Sequence, residues 1–290
     1  MLTQIPQQIE RASRKLAFHA RRYWSPIASP PLSAGEEQIL QNLRQAGVAI
    51  TSLLQLDYPQ TSALLRAIDE AIVHLPDASG LLVGASDRQI EGHQTSIAKN
   101  QLLQHPDIFL WGLQDACLDL AETYFQQPIA YLGCALFQEI PNQRQSGTRL
   151  WHRDGEDYKV LKLLIYLNDV DQGGGPFEYI PRQMSPSYRP FCRHGNIITD
   201  AIMAQVIPPT HWRQCLGPRG TVIVVDTVNV FHHATVPQRP RIALTFAYTS
   251  ARPKDLERCR LFFKYSDPVA WQHCQTLMSP RQRQAAQGWR

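Results

Sequence analysis

Two imidazoles and one carboxylate, His152, Asp154 and a histidine of the pair His232-His233, are spaced as a metal ion would require. That ligand set holds Fe(II) on one face and leaves the other face open for oxygen chemistry. His152 and Asp154 are separated only by Arg153. In an extended chain side chains i and i+2 point the same way, so both can reach one ion while Arg153 points away. The third ligand must then come from another strand. Residues 220–234 open on a β-branched run bounded by Gly220 and end in Phe231-His232-His233-Ala234, which predicts a buried strand delivering a histidine at its far end. Strand neighbours face opposite sides, so His232 and His233 cannot both be ligands, and the pattern alone does not choose.

An H-x-D triplet by itself is weak, since a strand histidine is more often structural than a ligand. The same three letters open the protein-kinase catalytic loop, yet here they run on into Gly155-Glu156-Asp157-Tyr158-Lys159, with no asparagine at the required spacing and no upstream Gly-rich loop. The metal reading gains from the sum of the triplet, the distal histidine and Arg241 just beyond it on a further β-rich run. Competing readings are a zinc-dependent hydrolase on the same triad and a non-catalytic β-barrel binding protein. A closed structural zinc site would offer a fourth protein ligand, and none stands out.

The elements that must position these groups follow from periodicity. A helix is expected at 34–46 and a strand at 48–51, then long periodic helices at 59–76 and 106–126. Short β-rich runs with Gly/Pro punctuation follow at 128–139, 149–154, 159–169, 176–180, 187–193, 220–234 and 240–249. Residues 200–212 read as a helical insert with Pro208-Pro209, 140–148 as a polar loop, and the tail from 279 as disordered. Helices first and strands afterwards predict an α+β fold with a closed or sandwich-like sheet. Both halves of the metal pattern fall within about 90 residues, so one domain over 1–290 is expected: a mainly helical part at 1–126, the sheet core at 127–250, and a C-terminal helix and tail at 251–290.

From about 128 to 250 the chain resembles the phytanoyl-CoA dioxygenase-like branch of the Fe(II)- and 2-oxoglutarate-dependent oxygenases. The resemblance lies in Trp151-His-Arg-Asp154, in Leu163-Leu-Ile-Tyr-Leu-Asn-Asp-Val-Asp171 leading into Gly174-Gly-Pro-Phe-Glu-Tyr-Ile-Pro181, in Gly220-Thr to Asp226-Thr227, and in His232 to Arg241. It implies a double-stranded β-helix (jelly-roll, cupin-like) core buttressed by the N-terminal helices. It implies His152, Asp154 and His232 as iron ligands, His232 because it lies six residues after the aspartate of the Asp-Thr pair. It implies Arg241 as the cation for the distal carboxylate of 2-oxoglutarate, with Arg239 the alternative across a turn carrying Pro237 and Pro240; a planar guanidinium suits a carboxylate. Three protein ligands leave three positions on an octahedral ion, two for the 2-oxo acid and one for O2. Succinate and CO2 would be released as an unactivated C–H bond of a small molecule is hydroxylated. Asp154 itself argues against the halogenases of the superfamily, which lack that carboxylate.

Secondary candidates are Lys162, Gln138, Asn229 and Trp151; each has an equally good structural reading on a solvent face, in local backbone capping or in core packing. Of 290 residues, 43% are hydrophobic and 19% charged, with a formal net charge of +4, as in a globular chain without a nucleic-acid stripe. Six scattered cysteines with no C-x-x-C pair indicate neither a zinc ribbon nor a disulfide framework, and a reducing cytoplasm is expected. No apolar run reaches the length of a membrane span. Residues 3–24 are basic and partly amphipathic, which predicts a packed surface helix, with a membrane-surface or targeting segment as the alternative.

Overall fold

The computed structural model describes residues 12–13, 15–20, 31–75, 92–195, 197–262, 265 and 267–289. Most of the expected 3–24 helix lies outside them, but 12–13 and 15–20 are helical, with Phe18 buried against Tyr158. The fold is α+β, with antiparallel sheets and helices. Helix α1 (Ala34–Ala46) starts on a capping box in which Ser33 and Glu36 satisfy each other's backbone groups, and it stops at Gly47 in the left-handed region. A side chain at Gly47 would collide with Val230, and its carbonyl accepts from the Asp226 N–H, so this turn also abuts the segment that carries the second histidine.

Strand β1 (Val48–Ser52), the short helix α2 (Leu53–Leu56) and α3 (Thr61–Ile72) follow. After β2 (Gln94–Ser96) and α4 (Lys99–Leu102), the expected helix at 106–126 is two helices, α5 (Pro106–Trp111) and α6 (Asp115–Phe125). They break at Gly112, whose carbonyl is claimed by the Tyr248 hydroxyl and where an added Cβ would lie within 2.6 Å of Phe246 and 2.7 Å of the Tyr131 hydroxyl, so that no side chain fits. The remaining elements are β3 (Ile129–Glu139), β4 (Leu161–Tyr166), β5 (Phe177–Tyr179), α7 (Asp200–Ala204), β6 (Arg213–Cys215), β7 (Thr221–Asp226), β8 (His232–Ala234), β9 (Arg241–Ser250), α8 (Leu256–Phe262), α9 (Pro268–Thr276) and α10 (Pro280–Gln287).

The strands form a six-stranded sheet in the order β1-β7-β4-β9-β3-β2 and a three-stranded sheet in the order β6-β5-β8, every pairing antiparallel. Alternation along the large sheet divides its residues cleanly. Leu136, Leu161, Leu163, Ile165, Val222, Val224, Leu244 and Phe246 pack against the helices in the main core. Leu164, Tyr166, Ile223, Val225 and Ala243 face the other way and meet Phe177 and Cys215 of the small sheet. Between the two sheets the same face carries the polar side chains considered below.

Several expected boundaries are corrected. Residues 149–154 are not a strand: a 3-10 turn at Gly147–Arg149 precedes an isolated bridge, His152 to His232. Residues 220–234 are two strands in different sheets, because the Asp226 carboxylate draws in Val228 N–H and the Asn229 amide and turns the chain before residue 232. Residues 187–193 form a 3-10 turn around Pro190, and only Asp200–Ala204 of the expected insert is α-helical before Pro208 and Pro209. The tail from 279 is ordered. Ser279 and Gln282 make a capping box, Arg281 pairs with Asp115, Asp119 and Glu122 on α6, and Ala285, Ala286 and Trp289 are buried in the main core.

Candidate metal centre and anion pocket

One turn positions two of the three expected ligands. Asp226 is fully buried and accepts from the Tyr124 hydroxyl at 2.6 Å, the Asn229 amide at 2.6 Å and the backbone N–H of Val228 and Val160. Each of its lone-pair directions is thereby used, which fixes residues 227–231. The Thr227 carbonyl accepts from Asp154 N–H at 3.0 Å, and His232 exchanges both backbone hydrogen bonds with His152 at 3.0 Å. Two segments far apart in sequence, 152–154 and 227–232, are therefore stitched together by main-chain bonds, and side-chain placement follows.

His152, Asp154 and His232 converge: one nitrogen or oxygen from each lies within 4.8 Å of the others. Their imidazole centroids are 4.3 Å apart, and His152 Nε2 lies 3.8 Å from Asp154 Oδ1. Both rings are oriented alike. Nδ1 of His152 is 2.7 Å from the Leu150 carbonyl and Nδ1 of His232 is 3.2 Å from the Val230 carbonyl. A carbonyl only accepts, so each Nδ1 carries the proton and each Nε2 keeps a lone pair aimed at the common point. Arg153 points away, stacked over Phe231 and donating to Ser185 and the Pro186 carbonyl.

The electrostatics favour the ligand forms. Burial pushes the His152 imidazole below its ordinary value, and burial together with His152 pushes His232 down to about 3. Burial alone would raise the Asp154 carboxyl, but Lys162 and the two histidines outweigh it and hold the group well below the usual carboxylate range. The carboxylate is thus charged and the rings neutral at pH 7. The sign of the resulting pH dependence is set by the histidines, which bind fewer protons folded than unfolded. As pH falls below about 6.5 the unfolded chain gains protons that the folded rings resist, so stability drops, by up to about 1.4 kcal/mol per pH unit for the buried His232, with His152 adding in the same direction. We expect urea midpoints of the metal-free protein to fall steadily between pH 6.5 and 4.5, and H232Q, which cannot titrate, to flatten that slope.

A cavity of about 230 Å3 opens beside the triad. Phe137, Leu164, Phe177 and Val225 give it apolar walls, and Arg241, Glu139 and Thr245 give it polar ones. Glu139 is shared by two arginines: Arg149 Nε at 3.1 Å from one oxygen and Arg241 Nη2 at 3.5 Å from the other. Arg149, wholly buried, also donates to Asn142 and to the carbonyls of His93, Ile140 and Arg144, so its guanidinium is saturated. Arg241 is different. It is 2% exposed, and its Nε and Nη1 have no protein partner among the described residues. Buried donors are rarely left so, and an anion entering this cavity would meet them. Arg239, the alternative, is exposed and paired with Asp171.

The other expected residues fall into place as follows. His233 also lines the cavity but is spent on Glu178 at 2.8 Å and the Arg149 carbonyl at 3.1 Å, and it stacks on Trp151. Trp151 is core rather than cavity wall, packed on Trp212 and bonded to Asp200. Asn229 holds the Asp226 turn, and Gln138 points to the opposite face from its neighbours Phe137 and Glu139, which line the cavity. Lys162 reaches the site, its Nζ 2.6 Å from Asp154 Oδ2. Glu139, Arg149, Thr245 and Phe262 were not expected. Alternation from Phe137 and from Arg241 along their strands was the available signal for Glu139 and Thr245.

No family model and no curated protein matches the chain. Solved structures do. The epimerase SnoN, crystallised with Fe3+, alpha ketoglutarate and nogalamycin RO, matches with a TM-score of 0.52 and 14% identity over 76% of this chain and 85% of that one. HygX from Streptomyces hygroscopicus, with nickel and 2-oxoglutarate bound, matches with a TM-score of 0.50 and 13% identity over 76% of this chain and 88% of that one. At these identities the likeness is one of fold. No helix among the described residues is long and apolar enough to cross a membrane.

Proposed function

We propose that this chain is an Fe(II)- and 2-oxoglutarate-dependent dioxygenase of the phytanoyl-CoA dioxygenase-like type, its two sheets being the halves of a double-stranded β-helix. One observation carries the reading: His152, Asp154 and His232 converge beside a cavity that also holds a buried, half-unpartnered arginine. In this reading the two Nε2 lone pairs and an Asp154 oxygen hold Fe(II), an ion whose preferred ligands are of these types. Arg241 takes the distal carboxylate of 2-oxoglutarate through its free Nε and Nη1, and Thr245, on the same face of the same strand, lines the cavity further along.

Iron held by these three side chains would supply the activation of O2 against 2-oxoglutarate, with succinate and CO2 as coproducts and hydroxylation of a C–H bond of a small-molecule substrate the proposed outcome. The chain supplies the rest. Phe137, Leu164, Phe177 and Val225 exclude water from the cosubstrate, and the Asp226 turn keeps the ligands in register. The cavity, at about 230 Å3, is smaller than the roughly 300–1,000 Å3 of a typical ligand pocket. It suits the cosubstrate, and the substrate is proposed to enter where Gln94, Thr148 and Phe262 line the same space. All six cysteines are free thiols, which fits the reducing cytoplasm in which Fe(II) persists.

The test is an anaerobic titration of the metal-free protein with Fe(II) and then 2-oxoglutarate. A weak visible charge-transfer band from a 2-oxo acid chelated to iron is expected in the wild type and absent from H152A. A wild type that shows no band, or a band equally strong in H152A, would sink the proposal.

A further inference from the structure

The strand β4 alternates its side chains between two environments. Leu161, Leu163 and Ile165 go to the main core, while Lys162 and Leu164 face the cavity. Lys162 is therefore a cation built into a wall, and its Nζ forms an ion pair at 2.6 Å with Asp154 Oδ2, an oxygen that accepts no hydrogen bond among the described residues. The other oxygen, Oδ1, is the one that lies 3.8 Å from His152 Nε2. The ammonium is held there from a second side by the Phe262 ring, whose centroid is 5.2 Å from Nζ, and Lys99 flanks the same ring at 5.8 Å.

We propose that Lys162 is a positioning residue that restricts Asp154 to one-oxygen coordination, by occupying Oδ2 so that Oδ1 alone is presented to the ion. This rests on the iron and 2-oxoglutarate reading above. An aspartate beside a metal can bind through one oxygen or through both. Binding through both would consume one of the three positions that a bidentate 2-oxo acid and O2 need. A backbone donor or a water molecule could discourage this, but here a cation fixed by a strand and an aromatic ring does so. Lys162 also explains how a carboxylate so buried is tolerated without metal, since the pair is charge-balanced. Balancing charge and selecting the oxygen are separable: the first needs a positive charge, the second only a polar group held against Oδ2.

The experiment uses Co(II) as an oxygen-stable probe, with calorimetric titration of Co(II) into the metal-free protein and then of 2-oxoglutarate into the Co(II)-loaded protein. Wild type, K162M and K162Q are compared, with circular dichroism to confirm folding. Co(II)-loaded K162M is expected to bind 2-oxoglutarate about 10- to 100-fold more weakly than the wild type, the usual range for losing a group that orients a metal ligand. K162Q, which keeps a donor but not the charge, is expected to recover most of that loss. Wild-type affinity in K162M would overturn the inference and leave Lys162 as a charge partner only. If K162M takes up no Co(II), the decision passes to K162Q: near-wild-type cosubstrate binding supports the inference, and failure to bind Co(II) or a cosubstrate affinity as weak as that expected of K162M overturns it. A wild type that binds neither Co(II) nor 2-oxoglutarate would instead overturn the oxygenase reading on which it rests.

Discussion

Under the proposed function, Asp154→Ala is expected to abolish metal-dependent turnover and to lower Fe(II) affinity by more than about 100-fold, since losing a ligand must exceed the 10- to 100-fold typical of losing a group that only orients one. Two causes act together. The substitution removes the anionic member of the triad, leaving two neutral imidazoles, and it frees the Lys162 ammonium, previously 2.6 Å from the carboxylate, to repel a dication at close range. The fold survives. Asp154 contributes one backbone N–H to the Thr227 carbonyl, which alanine retains, and the Asp226 turn and the β7–β4 pairing do not involve its side chain. Lys162 left alone in the wall costs some stability, less than the 3–5 kcal/mol of a fully buried broken pair because its side chain keeps 19% exposure. Calorimetric Fe(II) titration, succinate release and a thermal melt check the three parts; retained succinate release would remove Asp154 from the ligand set.

That Asp154 and His152 could be read from the sequence follows from how little structure their pairing needs. Two residues one apart in any extended stretch share a face, even where, as here, the stretch is a single bridge and not a strand. The long strands β3 and β9 were equally legible, because their apolar runs are bounded by turn residues on both sides. The break between β7 and β8 was not. Nothing in the β-branched run ends it. The break is set by one buried carboxylate whose partners, Tyr124 and Val160, are distant in sequence. Alternation told that Lys162 and Leu163 face opposite ways but not which face is the cavity, since helices cover one side of the sheet and the small sheet the other. The Glu139–Arg149 pair was hidden for a related reason: composition rules place such residues on surfaces, and only the folded loop at 140–148 brings enough carbonyls together to bury Arg149. The last helix, α10, was obscured by a polar sequence whose few apolar side chains, Ala285, Ala286 and Trp289, are the ones that pack.

If Arg241 holds the cosubstrate as proposed, Arg241→Met is expected to raise the apparent dissociation constant for 2-oxoglutarate about 100-fold and to leave the rate at saturating cosubstrate much less changed. The magnitude follows from the free donors. Nε and Nη1 are buried without partners, so a carboxylate meeting them makes two charge-assisted bonds with no competing protein contact, worth roughly 3 kcal/mol together, and every 1.4 kcal/mol is tenfold. The protein should tolerate the change. Methionine follows the guanidinium stem through the same space, and Glu139 is not orphaned because Arg149 still donates to it at 3.1 Å. Lysine at 241 restores charge without the planar fork and should recover only part of the affinity. Arg239→Met is the informative control: its guanidinium is exposed and engaged with Asp171, so cosubstrate dependence should not move. Initial rates of succinate formation against 2-oxoglutarate concentration separate the two arginines, and a large shift in the Arg239 variant with none in the Arg241 variant would relocate the cosubstrate's distal carboxylate to the other side of the β8–β9 turn.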